Sequence, residues 1–153
     1  MSTREPLTER GYETPFVVQF SLFLSNRVGR LNQLLEILEQ DDVQMAGISV
    51  VDSTDWAVVR MVFTAPDKAR EVLKRRGIPF TEGELLAIEL EDPQTFHKAC
   101  RALVAAELNL QFAYPLLLQR GGHPVLAFHV DDPVLASQVL IRHGFSLLDH
   151  GAV

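Results

Sequence analysis

Basic residues are in deficit: 14 Lys and Arg against 20 Asp and Glu leave a formal charge of −6 and an isoelectric point near 5.3. Phosphate backbones are held by cationic surfaces, so this balance argues against a nucleic-acid partner. Cysteine is scarce too. A single one, Cys100, makes no intramolecular disulfide and, alone, no zinc site. No apolar stretch reaches the ~18 residues a membrane span needs, so no membrane partner is expected. The opening Met1-Ser2-Thr3-Arg4-Glu5-Pro6 carries no apolar segment of the secretory kind, and a reduced, cytoplasmic setting is expected. Missing as well are a Ser-His-acid set, a paired-carboxylate motif, a P-loop and a Rossmann glycine pattern. His97, His123, His129, His143 and His150 show no tight metal-ligand spacing. No catalytic residues, metal or cofactor are expected.

What is present is enough apolar material, 47% of the chain, to bury a core without staples. Residues 1–15 are polar and read as a tail or late-packing arm. Phe16 to Leu24 is β-branched and aromatic, a strand; 25–30 is a turn. Leu31, Leu34, Leu35 and Leu38 then recur at helical spacing, predicting a helix over 30–40. Val43 to Asp52 and Trp56 to Thr64 read as antiparallel strands about the turn Ser53-Thr54-Asp55, with Trp56 and the phenylalanines assigned to the core. Pro66 opens a second helix on Ala69, Val72 and Leu73, which Gly77 ends, and 78–81 is a short closing strand.

The same order returns. Leu85 to Leu90 is a strand, and 92–95 a turn before a helix whose stripe is Phe96, Cys100, Leu103 and Val104. Leu108 to Leu118 and Val125 to Val130 flank a hairpin at 119–123; Asp132-Pro133 opens a helix on Ala136, Val139 and Leu140, Gly144 ends it, and 145–148 closes. The first-helix positions of the two halves differ by 65, and the second-helix positions with their glycines by 67. A fixed period with the extra two residues placed in the longer second hairpin is the mark of a duplication. The predicted class is α+β: two ferredoxin-like βαββαβ units in tandem, antiparallel sheets with helices on one face and strand order 4-1-3-2. The expected division is a tail over 1–15, one domain over 16–83 and a second over 84–150, with Gly83 alone between closing and opening strands. Pro115 suits an edge strand, which the second strand of such a sheet is, and the ladder between the two copies should be interrupted near it.

Leu22-Phe23-Leu24-Ser25-Asn26-Arg27-Val28-Gly29-Arg30-Leu31, the leucine-striped helix, Val43 to Val50 and a short hairpin together resemble the ACT domain. That family's first loop runs Asn or Asp, any residue, Pro, Gly, any residue, Leu; Asn26, Gly29 and Leu31 match, and Val28 stands in for proline. The second copy has Gln94 in place of the glycine. The tandem is similar to stand-alone two-ACT proteins, and its first copy to acetolactate synthase small regulatory subunits. The resemblance implies a non-catalytic sensor binding an amino acid, with a homodimer expected.

The loop chemistry fits. A helix start leaves unpaired N–H groups at the positive end of the dipole, which attract a carboxylate; Gly29 permits close approach, and Arg27 or Arg30 adds charge. The candidate ligand residues are therefore Asn26, Arg27, Val28, Gly29, Arg30 and Leu31. The resemblance adds Ile48 and Ser49 on the following strand, or Ala113 and Tyr114 in the second copy. Each has a plainer reading: Gly29 as a turn residue, Asn26 as a cap, the arginines as solvated charges. Cys100 reads as a small core hydrophobe. With Pro93 and Gln94 in its loop, copy two is expected to be a structural partner. Competing readings are a regulatory subunit or interaction module that docks on an amino-acid biosynthetic enzyme such as acetolactate synthase, an acylphosphatase-like enzyme, and an RNA-binding domain. The last two lack, respectively, a glycine-rich phosphate loop and basic, aromatic stacking residues on the third strand.

Overall fold

A computed structural model describes residues 7–8, 11–12, 14–25 and 27–153. Two short strands, β1 (Leu7–Thr8) and β2 (Gly11–Tyr12), pair antiparallel within the segment read as a tail. Then follow β3 (Val17–Ser25), α1 (Arg30–Gln40), β4 (Met45–Asp52), β5 (Trp56–Phe63), α2 (Pro66–Arg75) and β6 (Phe80–Glu89). The series repeats as α3 (Thr95–Ala105), β7 (Leu110–Arg120), β8 (His123–Val130) and α4 (Pro133–Arg142), before a 3-10 turn, His150–Ala152. The chain separates into two compact units. One is Val18–Gly83; the other is Glu84–Val153 with the described residues before Val18.

In the first unit β5 lies between β3 and β4, antiparallel to both. The Phe23 N–H donates to the Pro79 carbonyl at 3.3 Å, bringing the start of β6 to the other side of β3. Phe20, Leu22, Val59 and Met61 share a core with Leu34 and Leu38 of α1 and Ala69, Val72 and Leu73 of α2. The Phe20 ring meets Phe63 edge-on at 5.3 Å. In the second unit β8 lies between β6 and β7, and Leu147 makes an antiparallel bridge to Ile88 of β6. Phe128, Leu86 and Ile88 pack there with Ala99 and Leu103 of α3 and Ala136 and Leu140 of α4.

The repeat extends to backbone detail. All four helices end alike, the residue after the C-cap in the left-handed region and the next N–H returning to the helix. Val43 donates to Leu38, Ile78 to Leu73, Leu108 to Leu103 and Phe145 to Leu140, at 2.8–3.0 Å. Gly77 and Gly144 fill that position as expected, but Asp42 (φ 55) and Glu107 (φ 59) fill it in α1 and α3. Those bonds also delay β4 and β7 to Met45 and Leu110, because Val43 and Leu108 are committed to the helix ends. One-residue bulges recur between Met45 and Gly47 and between Leu110 and Phe112.

Several expectations are corrected. The two extra residues of copy two are not in the hairpin turn. That turn is Gly121-Gly122, both at positive φ, and is shorter than Ser53-Thr54-Asp55. Pairing runs from Pro115↔Leu126 to Gln119↔Pro124, four steps along β7 for two along β8, so a bulge just past Pro115 absorbs the insertion. Proline has no N–H to give a ladder, and a bulge is where a sheet tolerates it. The strands expected over 78–81 and 85–90 are one strand, β6, with Gly83 inside it in ordinary strand backbone. Trp56 is not core: it is 54% exposed beside Ser25, at the turn end of the hairpin. Val104 is 72% exposed, because the buried stripe of α3 is Ala99, Ala102 and Leu103.

Candidate functional site

The face of the first sheet that carries the helices is ordered in rows across the strands. Leu22, Val59 and Val50 form one row; Leu24, Ala57 and Asp52 form the next, nearer the turn. Leu22 and Val59 are fully buried and Leu24 nearly so, while Val50 and Asp52 are exposed. Ala57, at the centre of the outer row, is too small to fill the space above it. A cavity of about 160 Å³ results. Leu24, Ala57 and Val59 form one part of its wall, Val50 and Asp52 of β4 another, and Ser25, Arg27, Arg30 and Leu31 the loop and helix side. It is smaller than the roughly 300–1,000 Å³ of cavities for drug-sized ligands, so its guest is small.

Gly29 makes the helix start. It sits at φ 86 as the N-cap of α1, and the Gln33 N–H returns to its carbonyl at 2.9 Å. A Cβ there would touch nothing within 4 Å, so glycine is needed for its backbone angle rather than for space. Among the described residues no side chain caps this helix, and no acid lies in its first turn. The positive end of the α1 dipole and two arginines therefore adjoin the cavity, with no acid in that turn of the helix. The Arg30 guanidinium donates to Gln33 Oε1 at 3.2 Å, within α1.

Of the residues named from sequence, Arg27, Arg30 and Leu31 line the cavity and Gly29 shapes its loop. Val28 is fully exposed, and Asn26 lies outside the described residues. Ile48 is on the helix-bearing face but deeper, against the core; Ser49 pairs with Arg60 on the opposite face. Ala113 and Tyr114 belong to the other unit, the first exposed, the second buried and stacked on Phe112. Sequence reasoning missed Val50, Asp52 and Ala57. Its hairpin carried the signal: pairing about the turn at 53–55 sets Asp52 opposite Ala57 and both on the Ile48 face.

The equivalent loop of copy two is built differently. Gln94, in the place of Gly29, has φ −93. Asp92, in the place of Arg27, turns its carboxylate back on the loop: Oδ1 accepts the Thr95 hydroxyl at 3.0 Å and the Gln94 N–H at 2.9 Å. These two bonds, the hydroxyl's first, hold the Asp92 carboxyl below the usual carboxylate range. Near it lies a second cavity of about 160 Å³, bordered by Glu89, Asp92, Lys98 and His143. Glu89 is already engaged with His123 at 3.0 Å, and His143 Nδ1 with the Val139 carbonyl at 2.8 Å. Burial pushes the Cys100 thiol up, away from nucleophilic thiolate.

Two sheet-and-helix units with matching bulges and one open helix-start loop are what a pair of ACT domains would show, and the ACT domain pair family matches residues 16–152. The chain belongs to that family. ACT domain pairs are a regulatory domain type. Among solved structures, a Bacteroides thetaiotaomicron protein aligns with a TM-score of 0.81 at 20% identity, over 90% of this ACT pair and 95% of that chain. The ligand-free regulatory subunit of aspartate kinase from Thermus thermophilus aligns at 0.55 and 10% identity, over 85% and 93%. Its Thermus flavus counterpart aligns at 0.53 and 11%, over 85% and 90%. At these identities the likeness is one of fold. No curated protein matches this ACT pair in sequence.

Proposed function

We propose that this ACT pair is a non-catalytic sensor of a free amino acid, bound in the cavity at the start of α1. The observation that carries the reading is a helix start shaped by Gly29, flanked by Arg27 and Arg30 and without a side-chain cap among the described residues, on a small cavity. A carboxylate there meets backbone N–H groups, the dipole and guanidinium donors together. The second copy serves as the structural partner, its loop served by Asp92. Isothermal titration with a panel of amino acids tests the reading: one or more binds to the intact chain, and Gly29→Asp, which sets a carboxylate in the loop, abolishes it. A flat panel would overturn the proposal.

A second reading concerns what the sensor acts on. The fold shared with a protein described as a regulatory subunit of aspartate kinase supports a regulatory subunit for an amino-acid biosynthetic enzyme, acetolactate synthase being the one the loop resemblance suggests. Pull-down from the native cytosol, with and without the bound amino acid, tests it; absence of such an enzyme in both arms counts against it. We further propose a cytoplasmic homodimer, which analytical ultracentrifugation checks.

A further inference from the structure

α2 and α4 are the same element in the two copies, yet their outer faces differ in kind. The buried positions agree: Ala69, Val72 and Leu73 correspond to Ala136, Val139 and Leu140. The outer positions do not. Asp67, Lys68 and Lys74, charged and exposed in α2, give way to Val134, Leu135 and Ile141 in α4. Val134 is 46% exposed, Leu135 40%, and Ile141 is partly buried. Gln138 replaces Glu71 between them, and Arg142 is the one charge within the helix. A helix that is apolar on its outer side as well as its inner side is one with something packed against it. The fold itself does not ask for such a face, since α2 is built at the matching place with charges.

The charges at the ends of α4 say what covers it. Asp131 and Asp132 precede the helix and Arg142 closes it, about 15 Å along the axis. Asp131 Oδ1 accepts the Asn109 N–H and Asp132 Oδ1 the Leu135 N–H, both at 3.1 Å, so each carboxylate is held in place. Arg142 is exposed and has no ion pair among the described residues, whereas its counterpart Arg75 reaches Asp41 at 3.2 Å. A strip that is acidic at one end, basic at the other and apolar between is complementary to itself turned end for end. We infer that α4 docks on α4 of a second copy of this chain, antiparallel about a two-fold axis. The aspartate end of each helix then faces the arginine end of the other, and the aliphatic residues close the middle. Gln138, midway along, meets its own copy, and an amide offers both the donor and the acceptor that such a meeting requires. The inference rests on the proposed homodimer and gives it a surface.

Sedimentation velocity of the full chain over a range of concentrations, repeated on three variants, is the test. Val134→Asp combined with Leu135→Lys writes the residues of α2 into α4, where the first copy shows that a helix accepts them. Arg142→Asp changes charge alone, and Arg75→Asp makes the same change at the matching place in copy one. Expected are dimers for the parent and for Arg75→Asp, and a monomer for the double variant. Arg142→Asp should dimerise roughly tenfold more weakly, since each change enters a two-fold contact twice. Far-UV circular dichroism like that of the parent shows that the variants fold; if the double variant fails this check, Arg142→Asp decides. Dimers that survive both changes in α4 overturn the inference and leave the homodimer standing on another surface. Assemblies larger than a dimer point to a head-to-tail contact and overturn it as well. A parent that stays monomeric removes the homodimer and this surface together, and leaves the amino-acid sensor untouched.

Discussion

Glu107 and Asp42 hold the left-handed position that glycine fills at the ends of the other two helices. An L residue there costs about 1–2 kcal/mol, less for Asp, whose short side chain suits the region. Glu107→Gly is therefore expected to stabilise the fold by roughly 1 kcal/mol in urea denaturation. Asp42→Gly should gain less, since its side chain also faces Lys68 at 3.7 Å. Arg70 shows the opposite balance. It grips Glu82 through two nitrogens at 2.6 and 2.7 Å, reaches Asp67 at 2.7 Å, and lies 5.8 Å from the centre of the Phe20 ring. Its hydrogen bonds hold the Glu82 carboxyl below its usual value. A carboxyl lowered on folding stabilises fully above its unfolded pKa, about 4.3, and that contribution is lost as pH falls through the folded value. Glu82→Gln should cost about 1 kcal/mol at pH 7, with both side chains about a third exposed, and its difference from the parent should close in strong acid. A difference that stays constant with pH would rule out this pairing as its source.

Element by element, the chain was legible wherever large apolar residues carried the pattern. The leucines of α1 gave Arg30–Gln40 directly, and Pro66, Gly77, Asp132 and Gly144 marked helix limits by their own chemistry. In α3 the pattern misled, because the buried stripe is mostly alanine and Val104, the bulkier residue, faces out. Leu103→Ala should cost about 2–5 kcal/mol, whereas Val104→Ala should stay within about 0.5 kcal/mol; similar losses for both would show the helix rotated from this face. The irregularity past Pro115 lies in the pairing with β8, within its own hairpin, and nothing in the sequence says whether two extra residues bulge within a strand or lengthen a turn. The paired glycines at 121–122 favour the tight turn, and the excess moves to the place that already lacks a donor.

Across the whole molecule, the duplication was readable from spacing alone, but the site was readable only in part. The loop half, Arg27 to Leu31, announces itself by glycine and charge. Its other half, Val50, Asp52 and Ala57, depends on which strand pairs with which and in what register. Because the two loops differ, titration should find one ligand per chain; two equal sites would contradict the division of roles between copies. Asp92 adds a consequence in terms of competition. A carboxylate fixed two residues from the N–H it meets competes as an intramolecular ligand, at an effective concentration set by its tether rather than by the cell. Any free acid approaching that loop must displace a rival that never diffuses away. On the proposed division of roles, the second loop is expected to behave as a receptor already saturated, insensitive to a metabolite level that the first copy is proposed to follow.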